Sequence, residues 1–402
     1  MRITPITEAN VAGKRLLVRA DLNVPVEKSR VTDATRIARF AAGMRPLLEK
    51  GARLVILTHF GRPKPGELDP AFSVDKLRPA LSDALGVPVR FSDNCATESA
   101  VILSESLRDG EVLLCENLRY NPGETTNDAG FAAELARLGD LYVNDAFSCA
   151  HRAHASTAAI AGRLPAYAGP LLLEEINALT TALETPERPS VALVGGAKVS
   201  SKIAVLKNLV GKLDAVIIGG GMANTFLYAR GCPMGRSLHE ADQIATVREI
   251  ETLAEASGCE ILLPEDVVVA REFRAGAANE ILPADRCPSD AMILDAGPQS
   301  AEAFMARLNH AHTILWNGPL GAFEIPPFDA ATVAVARKAA ALSHEGRAVT
   351  VAGGGDTVAA LNAAGVTQDF TYVSTAGGAF LEWLEGKTLP GIAALCAPKQ
   401  AA

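Results

Sequence analysis

Short apolar runs rich in Val, Ile and Leu recur along the chain, separated by longer stretches whose apolar positions repeat with helical spacing. In the first half they are RLLVRADLN, RLVILTHFG, VPVRFSD, EVLLCENLR and LYVNDAF. In the second half they are SVALVGGAK, AVIIGGG, EILLPED, AMILDAG, TILWNGP and AVTVAGGGD. These runs are continuous, not alternating, as expected of strands buried on both faces of a parallel sheet with helices packed on each side. Helix start and stop signals fall between them. Ser73 is a candidate cap for SVDKLRPALSDAL, and DATRIARFAAGMRPLLEKG ends at Gly51. Each half holds about five or six strands, the size of one doubly wound domain.

The halves meet in GPLLLEEINALTTALETPERPS. Pro170 can open a helix there, the apolar positions keep helical spacing, and Pro186 and Pro189 close it. The predicted fold is therefore α/β, with two doubly wound parallel-sheet (Rossmann-like) domains. They occupy residues 1–169 and 189–380, with a connecting helix and hinge over 170–188. Nearly every run ends in a polar or Gly-rich cluster: DLN, THFGR, ENLR, NDAF, GGAK, GGGM, NGPLG, GGGD. One such cluster is as well explained by a tight strand-to-helix turn. Eight together point to ligand crevices, because open parallel sheets bind ligands outside the carboxyl ends of their strands.

Composition narrows the chemistry. A length of 402 residues suits two domains, and 49% hydrophobic residues supply ample core. A net charge of −8 and few aromatic side chains argue against a nucleic-acid partner. No apolar run is long enough to span a membrane, and the N-terminus lacks the apolar segment of a secretion signal. The seven cysteines are scattered singly, with no CxxC, and are expected to be reduced thiols in the cytoplasm.

The first half places arginines at strand ends: Arg19 inside the first run, Arg36 opening the next helical stretch, Arg62 in THFGRP, Arg119 in ENLRY and Arg152 in HRAH. Any one of them could be a surface ion pair. Five at equivalent topological positions suit an anionic substrate, which guanidinium groups hold with paired donors. VNDAFSCAHRAHAST (143–157) adds His151, His154 and Asp145, and raises metal ligation or a catalytic dyad as alternatives. Arg152 between the histidines would oppose a cation, and no nucleophile motif is present, so an anion clamp is the favoured reading.

The second half collects glycines. GGAKVSSK is expected to follow a strand and open a helix, bringing backbone N–H groups, Lys198 and Lys202 to a phosphate. GGGMANTF and GGGDTVA repeat the pattern. Asp356 reads as a helix cap or as a carboxylate for Mg²⁺ beside nucleotide oxygens, and Glu324 as an acceptor for ribose hydroxyls. There is no GxGxxG, and EGKT (385–388) has Leu381 where a Walker loop needs Gly. A nicotinamide-dependent dehydrogenase would share the layout but lacks its fingerprint. A bilobal solute-binding protein would need a secretion signal.

With VRADLNVP, THFGRP, ENLRYNPGE, VNDAFSCAHRAHAST, GGAKVSSK, LWNGPLGAFE, GGGDTVA and STAGGAFLEWLEG in order, the chain resembles the phosphoglycerate kinases along nearly its whole length. It departs from their usual pattern at Ala376, where a third Gly is usual, and at Ser148-Cys149, where Gly-Thr is usual. The resemblance implies Mg²⁺-assisted phosphoryl transfer between 1,3-bisphosphoglycerate and ADP, giving 3-phosphoglycerate and ATP, in glycolysis or gluconeogenesis, by a monomer. It implies a phosphoglycerate site of Asp21, Leu22, Asn23, Arg36, His59, Phe60, Gly61, Arg62, Arg119 and Arg152. It implies a nucleotide site of Gly196, Ala197, Lys202, Gly220, Asn317, Pro319, Glu324, Gly354, Gly355, Asp356 and Thr357, with Asp356 toward the metal. Arg36, Lys198, Lys202 and the backbone of Gly377 and Gly378 would act on the transferring group, and a segment from about 381 to 402 would return to the first domain. Both attacking groups are already anions, so no general base is needed. The two ligands fall on different halves, so domain closure is expected.

Overall fold

In the computed structural model of the chain, which describes residues 3–396, the apolar runs assemble into two six-stranded parallel sheets. The first has the order Val89–Ser92, Val112–Cys115, Arg53–Leu57, Arg15–Ala20, Leu141–Asp145, Ala166–Ala168. Leu16, Val18, Leu54 and Ile56 meet Ile37, Phe40 and Met44 of the helix Thr35–Glu49 on one face. Leu17, Val55 and Leu113, on the alternate positions, are equally buried. Burial on both faces is why these runs do not alternate.

The second sheet has the order Glu260–Leu262, Ala215–Ile218, Ser190–Val194, Thr313–Asn317, Val349–Gly353, Tyr372–Ser374. One expected member is elsewhere. AMILDAG supplies Met292–Ala296, which pairs antiparallel with Asp266–Ala270 in a separate three-stranded sheet completed by Asn279–Pro283. An apolar run specifies burial, not the direction of its neighbour, so periodicity alone could not separate the two cases. The vacated position is taken by Tyr372–Ser374, three residues long and too short to stand out.

In each sheet the chain reverses its direction of travel once. In the first, this happens between Arg15–Ala20 and Leu141–Asp145, whose ends lie level with Arg19 opposite Asn144 and Ala20 opposite Asp145. In the second, it happens between Ser190–Val194 and Thr313–Asn317, with Val194 opposite Asn317. These two reversals are where ligands gather in such sheets.

The chain divides into two compact units. One runs to Ile176 and resumes at Thr388; the other spans Asn177–Lys387. The division falls inside the helix Pro170–Leu179, which continues as a π-turn over Thr180–Glu184. The helix Gly377–Leu384 belongs to the second unit, where Asn208 donates to the Leu384 carbonyl at 2.8 Å. The return to the first unit therefore starts at Thr388, not near 381. There the Gly391 amide donates to the Ala150 carbonyl at 2.9 Å. The remainder of the expected returning segment, 397–402, lies outside the described residues.

Asp145, weighed above as a metal ligand or catalytic partner, has a structural task. Its Oδ1 accepts from the Leu171 and Leu172 amides at 2.7 and 3.2 Å, capping the helix that opens at Pro170. A Cβ on Gly169 would lie 2.3 Å from that oxygen, so only glycine admits the cap. Burial is the main force lifting the Asp145 carboxyl to about 7 from 3.8, against the two amides. A carboxyl raised on folding favours the folded state at low pH, and that contribution is lost as pH rises from about 4 to about 7. Asp145→Ala is expected to lower stability by about 1–2 kcal/mol through the lost cap. Its urea-unfolding free energy should also vary less than that of the parent between these pH values.

Candidate active site

At the reversal in the first sheet, three strand ends converge. Arg19 is 1% exposed, and its Nε donates to Ser156 Oγ at 2.9 Å. Ser156 Oγ in turn donates to buried Glu124 at 2.6 Å. A guanidinium buried this deeply needs a compensating charge, and Glu124 supplies it through one hydroxyl. Arg19 Nη2 also points at His59 Nδ1, 3.1 Å away. Because arginine can only donate, Nδ1 must accept, so His59 carries its proton on Nε2. Burial, then Arg19, Arg119, His154 and Arg152, drive the His59 pKa down to about 2. His59 therefore offers a neutral N–H donor, not a charge. His154 is likewise neutral, depressed to about 4 by burial and by the same three arginines. Among the described residues no group of three or more His, Cys, Asp and Glu is placed to hold a metal ion.

The loops around this cluster are tied to one another. Arg36 Nη1 donates to Asp21 Oδ2 at 2.8 Å and to the Asn23 carbonyl at 3.4 Å. Leu22 is buried, and its amide donates to Thr58 Oγ1 at 3.2 Å. Asn23 Oδ1 accepts the Gly61 amide at 3.0 Å, and Arg119 Nη1 donates to the Gly61 carbonyl at 2.6 Å. Gly61 has φ +60°, and a Cβ there would strike the Phe72 ring at 2.4 Å. Arg62, exposed, follows it, and Arg152 donates from Nε to His151. Asn117 was missed. Its Nδ2 holds the Phe60 and Phe72 carbonyls at 2.7 and 2.8 Å, while its Oδ1 accepts the Arg119 amide at 3.0 Å. The available signal was its place two residues before Arg119 in a strand-end cluster.

At the reversal in the second sheet, the strand ends approach so closely that side chains are excluded. A Cβ on Gly195 would lie 1.8 Å from the Pro319 carbonyl oxygen, and one on Gly318 would lie 2.1 Å from that of Gly195. Lys202 Nζ donates to the Gly195 and Asn317 carbonyls at 2.7 and 3.0 Å. Burial lowers its pKa to about 8, with Asp356 pulling the other way. Asn317 Nδ2 donates to the Gly353 carbonyl at 2.8 Å, and Thr357 Oγ1 accepts the Gly318 amide at 2.7 Å. GGAKVSSK does not pass directly into a helix. It forms a 3₁₀ turn at Val199–Ser201, and the helix begins at Ile203. Lys198 is exposed on that turn, which Glu240 pins through the Ser200 amide at 2.9 Å.

Beside these groups lies a cleft of about 250 Å³ whose lining includes Gly196, Ala197, Gly220, Pro319, Glu324 and Asp356. Helices Gly220–Ala229 and Gly355–Ala364 both start at or next to this wall, and Gly354 takes φ +99° before the second. Part of the lining was not foreseen: Leu238, Pro264, Phe273 and Leu294 are brought in by connections and by the antiparallel sheet, far in sequence from the glycine motifs. Gly377 and Gly378 open the helix Gly377–Leu384 and are not part of the cleft wall. All seven cysteines are outside any disulfide, and among the described residues no helix is long and apolar enough to cross a membrane.

The family profile described as phosphoglycerate kinase matches residues 6–387. The phosphoglycerate kinase of Methylobacterium radiotolerans is 58% identical over 386 residues, 96% of each chain. That of Agrobacterium fabrum is 57% identical over 390 residues, 97% of each. Among solved structures, phosphoglycerate kinase from Coxiella burnetii superposes with a TM-score of 0.92 at 40% identity, covering 98% of this chain and 99% of that one. The enzyme from Pyrococcus horikoshii does so at 0.77 and 28%, covering 98% of each. With its two parallel sheets and a similarity that runs along nearly its whole length, the chain belongs to the phosphoglycerate kinase family and transfers a phosphoryl group reversibly between 1,3-bisphosphoglycerate and ADP.

Proposed function

We propose that the first unit holds the phosphoglycerate and the second the nucleotide. The observation that carries this is the segregation of chemistry: arginines and a neutral histidine gather at one sheet's reversal, and glycine turns with a buried lysine gather at the other. Arg62, Arg119 and Arg152 supply charge for phosphate and carboxylate oxygens, Asp21 and Asn23 orient the groups around them, and His59 Nε2–H adds an uncharged donor. Leu22, Phe60 and Gly61 shape the loops. In the second unit, the helix starts at Gly220 and Gly355 present backbone N–H groups suited to phosphates. Lys202 faces the same region, and Glu324 suits ribose hydroxyls.

Asp356 is exposed in the first helical turn and lines the cleft. A single carboxylate beside nucleotide phosphates is the usual protein contribution to a Mg²⁺ site, so the residues fit that ion. When bound, Mg²⁺ would neutralise phosphate charge. Arg36, Lys198 and Lys202 stabilise the charge on the transferring phosphoryl group, with the Gly377 and Gly378 amides as further donors, and no general base takes part. We further propose a cytoplasmic monomer without a nucleic-acid partner.

The apolar wall of the cleft would take the nucleotide base. Phe273 is 61% exposed there and lines the cleft together with Leu238, so it presents an aromatic face to whatever enters. Phe273→Ala is expected to raise KM for ATP about tenfold, since a base stacked on an aromatic ring contributes about 1–3 kcal/mol, with KM for 3-phosphoglycerate unchanged. A rise in KM for 3-phosphoglycerate instead would reverse the assignment of the two units.

A further inference from the structure

We propose that Ser148 is a positioning residue for phosphoryl transfer, acting on Arg36 through Asp21. The inference rests on the role given to Arg36 above. Ser148 lies on the 3₁₀ turn Phe147–Cys149, which follows the strand on one side of the first sheet's reversal. Its Oγ lies 2.5 Å from Asp21 Oδ2, the oxygen that also accepts Arg36 Nη1 at 2.8 Å. A carboxylate has no proton to give, so the serine hydroxyl is the donor. One oxygen thus receives two donors: a guanidinium on a helix and a hydroxyl on a turn.

The turn itself is well anchored. Cys149, the next residue, is buried and accepts from Arg19 Nη2 at 3.5 Å. The Cys149 amide donates to the Ala146 carbonyl at 3.0 Å and the Ala150 amide to that of Phe147 at 2.9 Å. Ser148 therefore acts from a fixed base, whereas the Arg36 side chain is 34% exposed. Two effects follow. The hydroxyl holds the Asp21 carboxylate in one orientation, so that Arg36 is directed and not merely tethered. It also draws on the charge of Oδ2, weakening the grip of Asp21 on Arg36 and leaving the guanidinium more able to serve a developing charge elsewhere. A residue without a hydroxyl at 148 would provide neither.

Steady-state kinetics on Ser148→Ala, Ser148→Thr, Asp21→Asn and the double variant Ser148→Ala/Asp21→Asn test the proposal. Ser148→Ala is expected to lower kcat about fivefold to tenfold, the scale of the net contribution of one ordinary hydrogen bond, since the effect reaches the substrate only through Asp21 and Arg36, with KM for ATP within about twofold. Ser148→Thr, which keeps the hydroxyl, should restore most of kcat. In the Asp21→Asn background the Ser148→Ala loss should shrink to below about twofold, because the two residues act along one path. An equal loss in both backgrounds, or no loss in either, would overturn the proposal. Should Ser148→Ala melt at a lower temperature than the parent, Ser148→Thr carries the test: a loss of kcat of about fivefold to tenfold despite its hydroxyl would overturn the proposal. If Arg36→Ala keeps normal kcat, the role of Arg36 fails; the coupling of Ser148 to Asp21 is still read separately from KM for 3-phosphoglycerate.

Discussion

Arg36→Ala is expected to lower kcat by about two to three orders of magnitude, with KM for ATP changed no more than about twofold. The magnitude is that of removing one preorganised donor to a transition-state charge. Arg36 is held by Asp21 Oδ2 and the Asn23 carbonyl, both from the loop that leaves the central strand Arg15–Ala20. Its orientation is thus set before substrate arrives. In either direction the attacking oxygen is already ionised, so the barrier lies in gathering negative charge around the transferring group, and a fixed cation contributes most at that moment. Initial-rate kinetics in both substrates separate the outcomes. A variant with normal kcat and only weakened binding of 3-phosphoglycerate would make Arg36 a substrate clamp.

Lys202 should show its role in the pH profile. With a pKa lowered to about 8, chiefly by burial, its ammonium begins to lose its proton just above neutrality. The value of kcat/KM for ATP, which reports the free enzyme, is therefore expected to fall on an alkaline limb centred near pH 8. Lys202→Arg should remove that limb, because a guanidinium does not deprotonate. Lys202→Met should lower kcat/KM by about a hundredfold or more at neutral pH. It should also destabilise the fold by about 1–3 kcal/mol, because the Gly195 carbonyl loses its donor, whereas the Asn317 carbonyl keeps the Gly195 amide at 3.1 Å. The sign for stability is opposite to that for activity. The unfolded lysine binds protons more tightly than the folded one, so this group disfavours folding below about pH 8, and the penalty fades as pH rises toward 10.5. A parent profile flat across pH 8 would show that Lys202 keeps its charge throughout.

Much of this architecture was legible in the residues. Strands buried on both faces must be apolar throughout, so the runs from RLLVRA to AVTVAG marked two parallel sheets, and their polar ends marked the ligand side. Local chemistry also settled the start of the connecting helix at Pro170 and the inventory of candidate charges. Other features depended on residues distant in sequence meeting in space. Burial alone does not set strand direction, so AMILDAG could not be told from a parallel strand. Asp145 became a helix cap, not a metal ligand, because the fold carries residues 171 and 172 back to it. His59 lost its charge because burial, and then the guanidinium of Arg19 aimed at Nδ1, disfavour the protonated ring, and the wall around Phe273 came from connections and a sheet with no motif of their own. Chain order makes certain side chains and strand ends available. Their protonation, orientation and partners arise on folding, because desolvation and hydrogen-bond geometry depend on neighbours that chain order does not specify.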